Sequence, residues 1–239
     1  MDRLTRRELK QDELRTTFEN FEDFVKERYQ QILTVAGIVL VVVAAAFGLK
    51  IYLDRQVSEA NTELNEALTT FRTQVGTPAP GSLDAQAKMF PTAKEKYEKA
   101  LSQFADITQR FPRTKAAAIA RYHVGVCQAH LGDQSGAIKT LTEASRYSDK
   151  GIASLAQLAL AGELVKIGKL AEAVKIYQDL ANRPTTVVPR VTALLALADA
   201  YRGTQPLQAR QVYTQLEKEV GPDNMLSSYL KQQMASLAQ

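Results

Sequence analysis

Cysteine and histidine are the scarcest reactive residues in this 239-residue chain, at one and two respectively. A single cysteine excludes an intramolecular disulfide framework and every multi-cysteine zinc site, and two histidines leave no basis for a His-rich metal site. Twelve glycines and eight prolines are too few for a collagen-like or low-complexity chain, and a hydrophobic content of 45% is too high for intrinsic disorder. The net charge of +4 is mild, whereas nucleic-acid binders concentrate far more positive charge on one face, so no nucleic-acid partner is expected.

Catalytic chemistry is equally scarce. GDQSG at 132–136 is not the G-x-S-x-G nucleophile elbow, and no strand precedes it. His123 and His130 lie seven residues apart, on one helical face but about 10 Å from each other, too far to share a metal, so surface or groove positions are expected for them. Cys127 sits at a small, packed helix position and reads as a buried thiol. No glycine loop suited to phosphate is present. The expectation is a protein that is not an enzyme, with no cofactor and no metal.

The apolar residues that are present sit unevenly. Between Tyr29 and Leu49 there is no charge, and residues 32–49 read ILTVAGIVLVVVAAAFGL. Extended to residues 31–53, this run is long enough to cross a hydrocarbon core of about 30 Å as a helix. Arg28, Lys50 and Arg55 flank it, with Tyr29 and Tyr52 at interfacial positions. A core helix is seldom apolar on every face. A cleaved signal peptide, with Ala44–Ala46 as its small residues, conflicts with the long charged segment ahead of the run. A retained transmembrane helix at 31–53 is the expectation. Residues 1–30 carry seven basic residues, against Arg55 alone between Lys50 and Arg72, which places the N-terminus in the cytoplasm and residues 56–239 across the membrane, in a bacterial periplasm. Within the tail, Leu14, Phe18, Phe21 and Val25 stripe one helical face, suited to a partner, the membrane surface or self-association.

Beyond the run, the pattern Ala-x-x-x-bulky recurs at Ala100/Phe104, Ala137/Leu141, Ala173/Tyr177 and Ala209/Tyr213, in steps of 37, 36 and 36 residues. Such a period indicates stacked helix pairs. Gly125, Ala161 and Leu197 fall twelve residues before three of these alanines, Gly132 and Gly168 mark turns, and Pro112, Pro184 and Pro222 mark unit ends. Residues 56–74 read as helical, VGTPAPGSL as a linker, Pro91 as the start of a helix to about Phe111, and residues 224–237 as a capping helix. No useful period-2 segment appears, so no sheet is expected.

The stretches YHVGVCQAHLGDQSGAIKTL and LALAGELVKIGKLAEAVKIY resemble tetratricopeptide repeats, with small residue, turn glycine, alanine and bulky residue in register. The departures are a period of 36 instead of 34, the absence of tryptophan, and a fourth unit, VTALLALADAYRGTQPLQARQVY, whose Gly203 lies one residue early. The whole-chain layout, ending in LSSYLKQQMASL, resembles the ancillary subunit of the bacterial SecYEG translocon, and the repeat half also resembles periplasmic cell-division coordinators. These resemblances imply an all-α chain: a cytoplasmic amphipathic tail (1–30), a transmembrane helix (31–53), membrane-proximal helices and a first repeat (54–112), three tetratricopeptide-like repeats (113–222) and a capping helix (223–239). The implied function is a protein-binding adaptor of the inner membrane that assists secreted polypeptides beside the translocon; the alternative is a periplasmic scaffold in envelope assembly or division. Expected partners are translocon subunits, periplasmic chaperones or secretory polypeptides, with a possible homo-oligomer. A groove on the first helix of each pair would present Tyr122, Val126, His130, Leu158, Val165, Lys166, Leu194, Tyr201 and Arg202. Packing between repeats is the competing role for each. Tyr122 and Val126 occupy positions where the family's carboxylate clamp has lysine and asparagine.

Overall fold

The computed structural model describes residues 6–76, 89–221 and 225–237; for 6–27 and residue 32 the backbone alone is described. The chain divides into two units, Met1–Arg55 and Gln56–Gln239. The described residues form helices α1 (Arg6–Arg72), α2 (Ala93–Arg110), α3 (Lys115–His130), α4 (Gln134–Ala144), α5 (Lys150–Lys166), α6 (Leu170–Asn182), α7 (Arg190–Arg202), α8 (Pro206–Val220) and α9 (Met225–Ser236). Among them the nearest approach to a sheet is one isolated parallel bridge, Val75 to Phe90. The fold is all-α over these residues.

In the first unit, α1 departs from helical geometry at Arg28 (φ −117°, ψ 15°). From Arg28 onward it contains an apolar window long enough to cross a membrane, none of which is buried among the described residues. Leu40, for instance, is 70% exposed. Leaving so many aliphatic side chains in water costs on the order of 1.5–3 kcal/mol each relative to burial. The side chains of Leu14, Phe18, Phe21 and Val25 lie outside the described residues, as do Pro78, Pro80, Gly81 and Pro222 of the expected linker and unit end.

In the second unit the helices pack sequentially, each of α2 to α8 against its successor, while α3 also reaches α5 and α5 reaches α7. The alanines of the 36-residue pattern explain the spacing. Ala100, Ala137, Ala173 and Ala209 are all fully buried, and Phe104, Leu141, Tyr177 and Tyr213 are buried one turn on. Ile107, Ala144, Leu180 and Leu216 extend the same face by a further turn, so one stripe of each second helix is wholly committed to packing. Its counterpart on α3 is Gly125, where an added Cβ would stand 2.7 Å from Leu141 Cγ. Two cores result. One joins Ala60, Leu64 and Ala67 of α1 to Ala100, Phe104, Ile107 and Cys127. The other runs from Leu141 to Leu230.

Local chemistry sets the helix ends. The helix expected to open at Pro91 opens at Ala93, because the Thr92 hydroxyl accepts the Glu95 amide at 3.2 Å. Thr114, Asp133 and Asp149 cap α3, α4 and α5 in the same way. Gly132 and Gly168 hold φ of +85° and +80°, closing turns in which the amides of Asp133 and Lys169 reach back to the carbonyls of Gln128 and Leu164. Gly203 stays right-handed at φ −79°, so the turn from α7 to α8 closes differently, with the Gln205 amide on the Tyr201 carbonyl at 2.7 Å.

Two glycines of similar helical setting should respond oppositely to a methyl group. Gly125→Ala forces Leu141 aside in a closed core and is expected to cost about 1–2 kcal/mol net. At Gly162 a Cβ meets only the Tyr177 hydroxyl at 3.8 Å, so Gly162→Ala should gain about 0.5–1 kcal/mol of helix propensity. Denaturant titration of the two variants in detergent, followed by circular dichroism, checks this; equal effects would mean that the Gly125 contact does not set the helix spacing.

Candidate functional site

The nine residues expected to form a groove divide into five that pack with a core, one half-buried outside it and three polar ones. Tyr122, Leu158, Val165, Leu194 and Tyr201 pack with the larger core, so packing between helices occupies much of their surface. Val126 is half-buried. The three polar members have partners of their own. Lys166 donates to Glu163 at 2.7 Å, Arg202 stands 3.7 Å from Asp199, and the His130 ring stacks on Tyr97 with centroids 4.1 Å apart.

These pairs reveal a polar period not read from the sequence. Glu163 and Asp199 are 36 residues apart, as are Lys166 and Arg202, and Tyr177 and Tyr213. Each acid lies three residues before its base on a first helix, and the tyrosine comes from the second helix of the same pair. Tyr213 donates its hydroxyl to Asp199 Oδ1 at 2.7 Å. The Tyr177 phenol is pushed up to about 12, by burial first and then by the Asp199 and Glu163 carboxylates. Glu163 is the most committed member: it is buried, and its Oε2 has no hydrogen-bond partner among the described residues. In the preceding unit the equivalent acid position holds Cys127, whose thiol burial pushes up to about 12. The signal was present as a 36-residue recurrence of acid and base, but charged residues at helix ends ordinarily read as a solvated face.

His123 is placed differently from the expected surface or groove position. Its ring stacks on Phe104 at 4.8 Å and meets Phe71 and Tyr122 edge-on at 5.0 and 4.9 Å, joining α1, α2 and α3. Burial, reinforced by the Arg72 guanidinium, lowers its pKa to about 4. Its Nδ1 is buried without a partner among the described residues. His130 is shifted down as well, by burial and then by Lys166 and Lys96, with Glu163 opposing.

One hollow collects two of the nine. Leu194, Leu197 and Tyr201 of α7 line a cavity of about 360 Å³ whose remaining lining comes from α6 and α8, including Gln178, Asn182, Gln208, Gln211 and Gln215. A second hollow, lined by Gly168, Val174, Lys175 and Gln205, shares Gln178 and Tyr201 with it. Leu194 and Tyr201, both on the first helix α7, are thus brought to one hollow together with residues of the second helices α6 and α8. Among the described residues, no group of three or more His, Cys, Asp or Glu could hold a metal ion.

The His123 environment has a pH consequence. Above about pH 6.5 the imidazole is neutral in both folded and unfolded chains; as pH falls from there to about 4, the unfolded chain takes up a proton that the folded one resists. Stability should therefore fall by about 2–3 kcal/mol across that window. Melting temperature measured from pH 7.5 to 4.5 should drop less in His123→Phe than in the parent, and identical slopes would contradict the assignment. No family model, no curated protein and no solved structure matches this chain.

Proposed function

We propose that this chain is a single-pass inner-membrane protein whose second unit is a tetratricopeptide-like array that binds other proteins beside the Sec translocon and helps handle secreted polypeptides. One observation carries the reading: a run long and apolar enough to cross a membrane, with none of that window buried among the described residues, occurs in the same polypeptide as a tandem set of helix pairs at a 36-residue period. The first needs a lipid environment. The second is an architecture that spends its sequence on a scaffold and leaves surface for partners. Seven basic residues ahead of the span support a cytoplasmic N-terminus, with the array in the periplasm. A membrane tether then holds a weak binder at high effective concentration near chains leaving the translocon.

Photo-crosslinkers placed at Tyr122 and Tyr201 in living cells are expected to capture translocon subunits, periplasmic chaperones or nascent secretory chains. Recovery of division proteins alone, with septal localisation, would replace this reading with the envelope-scaffold alternative. Orientation is checked in parallel: in intact spheroplasts an impermeant maleimide should label Lys218→Cys and leave Arg6→Cys unlabelled, and the reverse pattern would invert the topology.

A further inference from the structure

Contacts along the second unit bring the turns that follow α2, α4 and α6 to one end of it. Arg110, at the close of α2, holds Glu63 of α1 at 2.6 Å, and Lys115, at the opening of α3, holds Asp149 at 2.7 Å. Ser154 of α5 meets Thr185 at 2.9 Å, and Arg190 of α7 meets Glu219 of α8 at 3.1 Å. The opposite end is marked by the His130 ring, at the close of α3, stacked on Tyr97 near the start of α2. Glu63 stands seven residues after Gln56, about 10 Å of helix, so the three turns share the end at which the chain enters this unit.

Cations occupy the turns and helix openings at this end, and most of the acids come from helix bodies. Residues 110–115, 145–150 and 182–190 hold seven basic residues against one acid, Asp149. α3, α5 and α7 each open on a cation, Lys115, Lys150 and Arg190, with no acid in the first turn. Positive charge there opposes the helix dipole, so helix stability does not account for it. Arg113, Arg146 and Lys150 are exposed and, among the described residues, have no acid partner; Lys218 of α8 is in the same position. Set against these four are two unanswered acids, Glu59 of α1 and Glu143 of α4. Val187, in the turn after α6, adds an apolar side chain that is 48% exposed, between the exposed Pro184 and Pro189.

Cations and exposed apolar side chains on the same turns match a surface that presents phosphates above acyl chains. The cations stand on separate turns and do not converge on one point, which suits a sheet of headgroups better than a single small anion. An acidic protein could answer the charge as well, but a bilayer is the anionic surface that an anchored chain meets at this end. At physiological salt a charge acts over about 8 Å, close to the length of helix between Gln56 and the level of the first turn.

We propose that the turns following α2 and α4, through Arg113, Arg146 and Lys150, rest on anionic phospholipid headgroups of the bilayer that residues 31–53 cross. The contact rests on the anchor part of the reading above and deepens it: the lipid surface, besides the tether, holds the array at the membrane.

The test uses the full chain in lipid nanodiscs with an environment-sensitive fluorophore on Ser148→Cys and a headgroup-nitroxide lipid as quencher; Cys127 is buried and stays unlabelled. In nanodiscs of phosphatidylcholine and phosphatidylglycerol in equal parts the label should be quenched, whereas one on Thr204→Cys, in the turn between α7 and α8, should not. Arg113→Glu, Arg146→Glu and Lys150→Glu together should abolish the quenching without lowering the circular dichroism melt. In the parent, about 1 M salt should do the same, since charge then reaches only about 3 Å. Quenching that is absent, equal in pure phosphatidylcholine, or indifferent to charge reversal overturns the proposal. A label on Val42→Cys with an acyl-chain nitroxide separates this failure from that of the anchor reading. Quenching at Val42 without quenching at Ser148 overturns the lipid contact alone, and quenching at neither position overturns both. Loss of a co-purifying protein in the triple variant, with no quenching in nanodiscs, assigns the turns to a protein partner and overturns the lipid contact.

Discussion

Close approach between paired helices is the constraint on which the second unit depends. Four fully buried alanines and one glycine remove the side-chain volume that would hold the helices apart, and the bulky residue one turn after each alanine fills the space created. A helix pair of this kind cannot bury its stripe alone. Each pair therefore requires the next, and the chain of contacts from α2 to α9, with α3 on α5 and α5 on α7, follows from that requirement. The two turn glycines serve the same end: a left-handed residue lets the chain reverse within three residues and keeps successive helices near enough for an alanine to be sufficient.

This dependence explains why the helices were legible in the sequence. Small and bulky residues recur at a fixed interval because the packing they create recurs, and the Ala100, Ala137, Ala173 and Ala209 series needs no tertiary information to be seen. The apolar run was legible for the opposite reason, since its composition and length alone mark it, with no pattern of faces to decode. The candidate site was far less visible. Tyr122, Leu158 and Val165 have the polarity of groove residues, but aliphatic and tyrosine side chains serve inter-helix packing equally well, and here they pack with the core. The hollow over α7 was unreadable because its lining comes from three helices of two successive pairs, and Gln178 and Gln211 come to one place only once α7 lies between them.

The two cores of the second unit differ in chemistry as well as position. The later one is largely aliphatic and alanine-rich, with the Tyr213 hydroxyl donated to Asp199. The earlier one carries a chain of rings, Tyr97, Phe71, Phe104 and His123, which meets Tyr122 of the later core at its end, with centroid distances of 4.8 to 6.2 Å. Edge-on and offset ring pairs contribute about 0.5–1.5 kcal/mol each beyond their area, so the aromatic core can hold α1, α2 and α3 together with fewer side chains. An imidazole in such a chain keeps this contribution only while neutral. That is why His123, held neutral by burial and then by the Arg72 guanidinium, is a point of acid sensitivity in this core.

Charge pairing along the first helices also bears on how this protein recognises anything. Lys166 and Arg202, at the C-terminal ends of α5 and α7, are placed favourably toward the helix dipole, yet each is answered by an acid three residues earlier. The array therefore presents little unpaired charge along this row, and long-range electrostatic steering has little to act on. On the proposed reading, selectivity must come from shape and from hydrogen bonds whose net value is about 1 kcal/mol each. A surface of that kind binds weakly and tolerates many sequences. Such binding is useful only where the polypeptide is already concentrated. A membrane tether supplies that condition, so on this reading an apolar membrane helix and a row of internally paired charges are two parts of one solution.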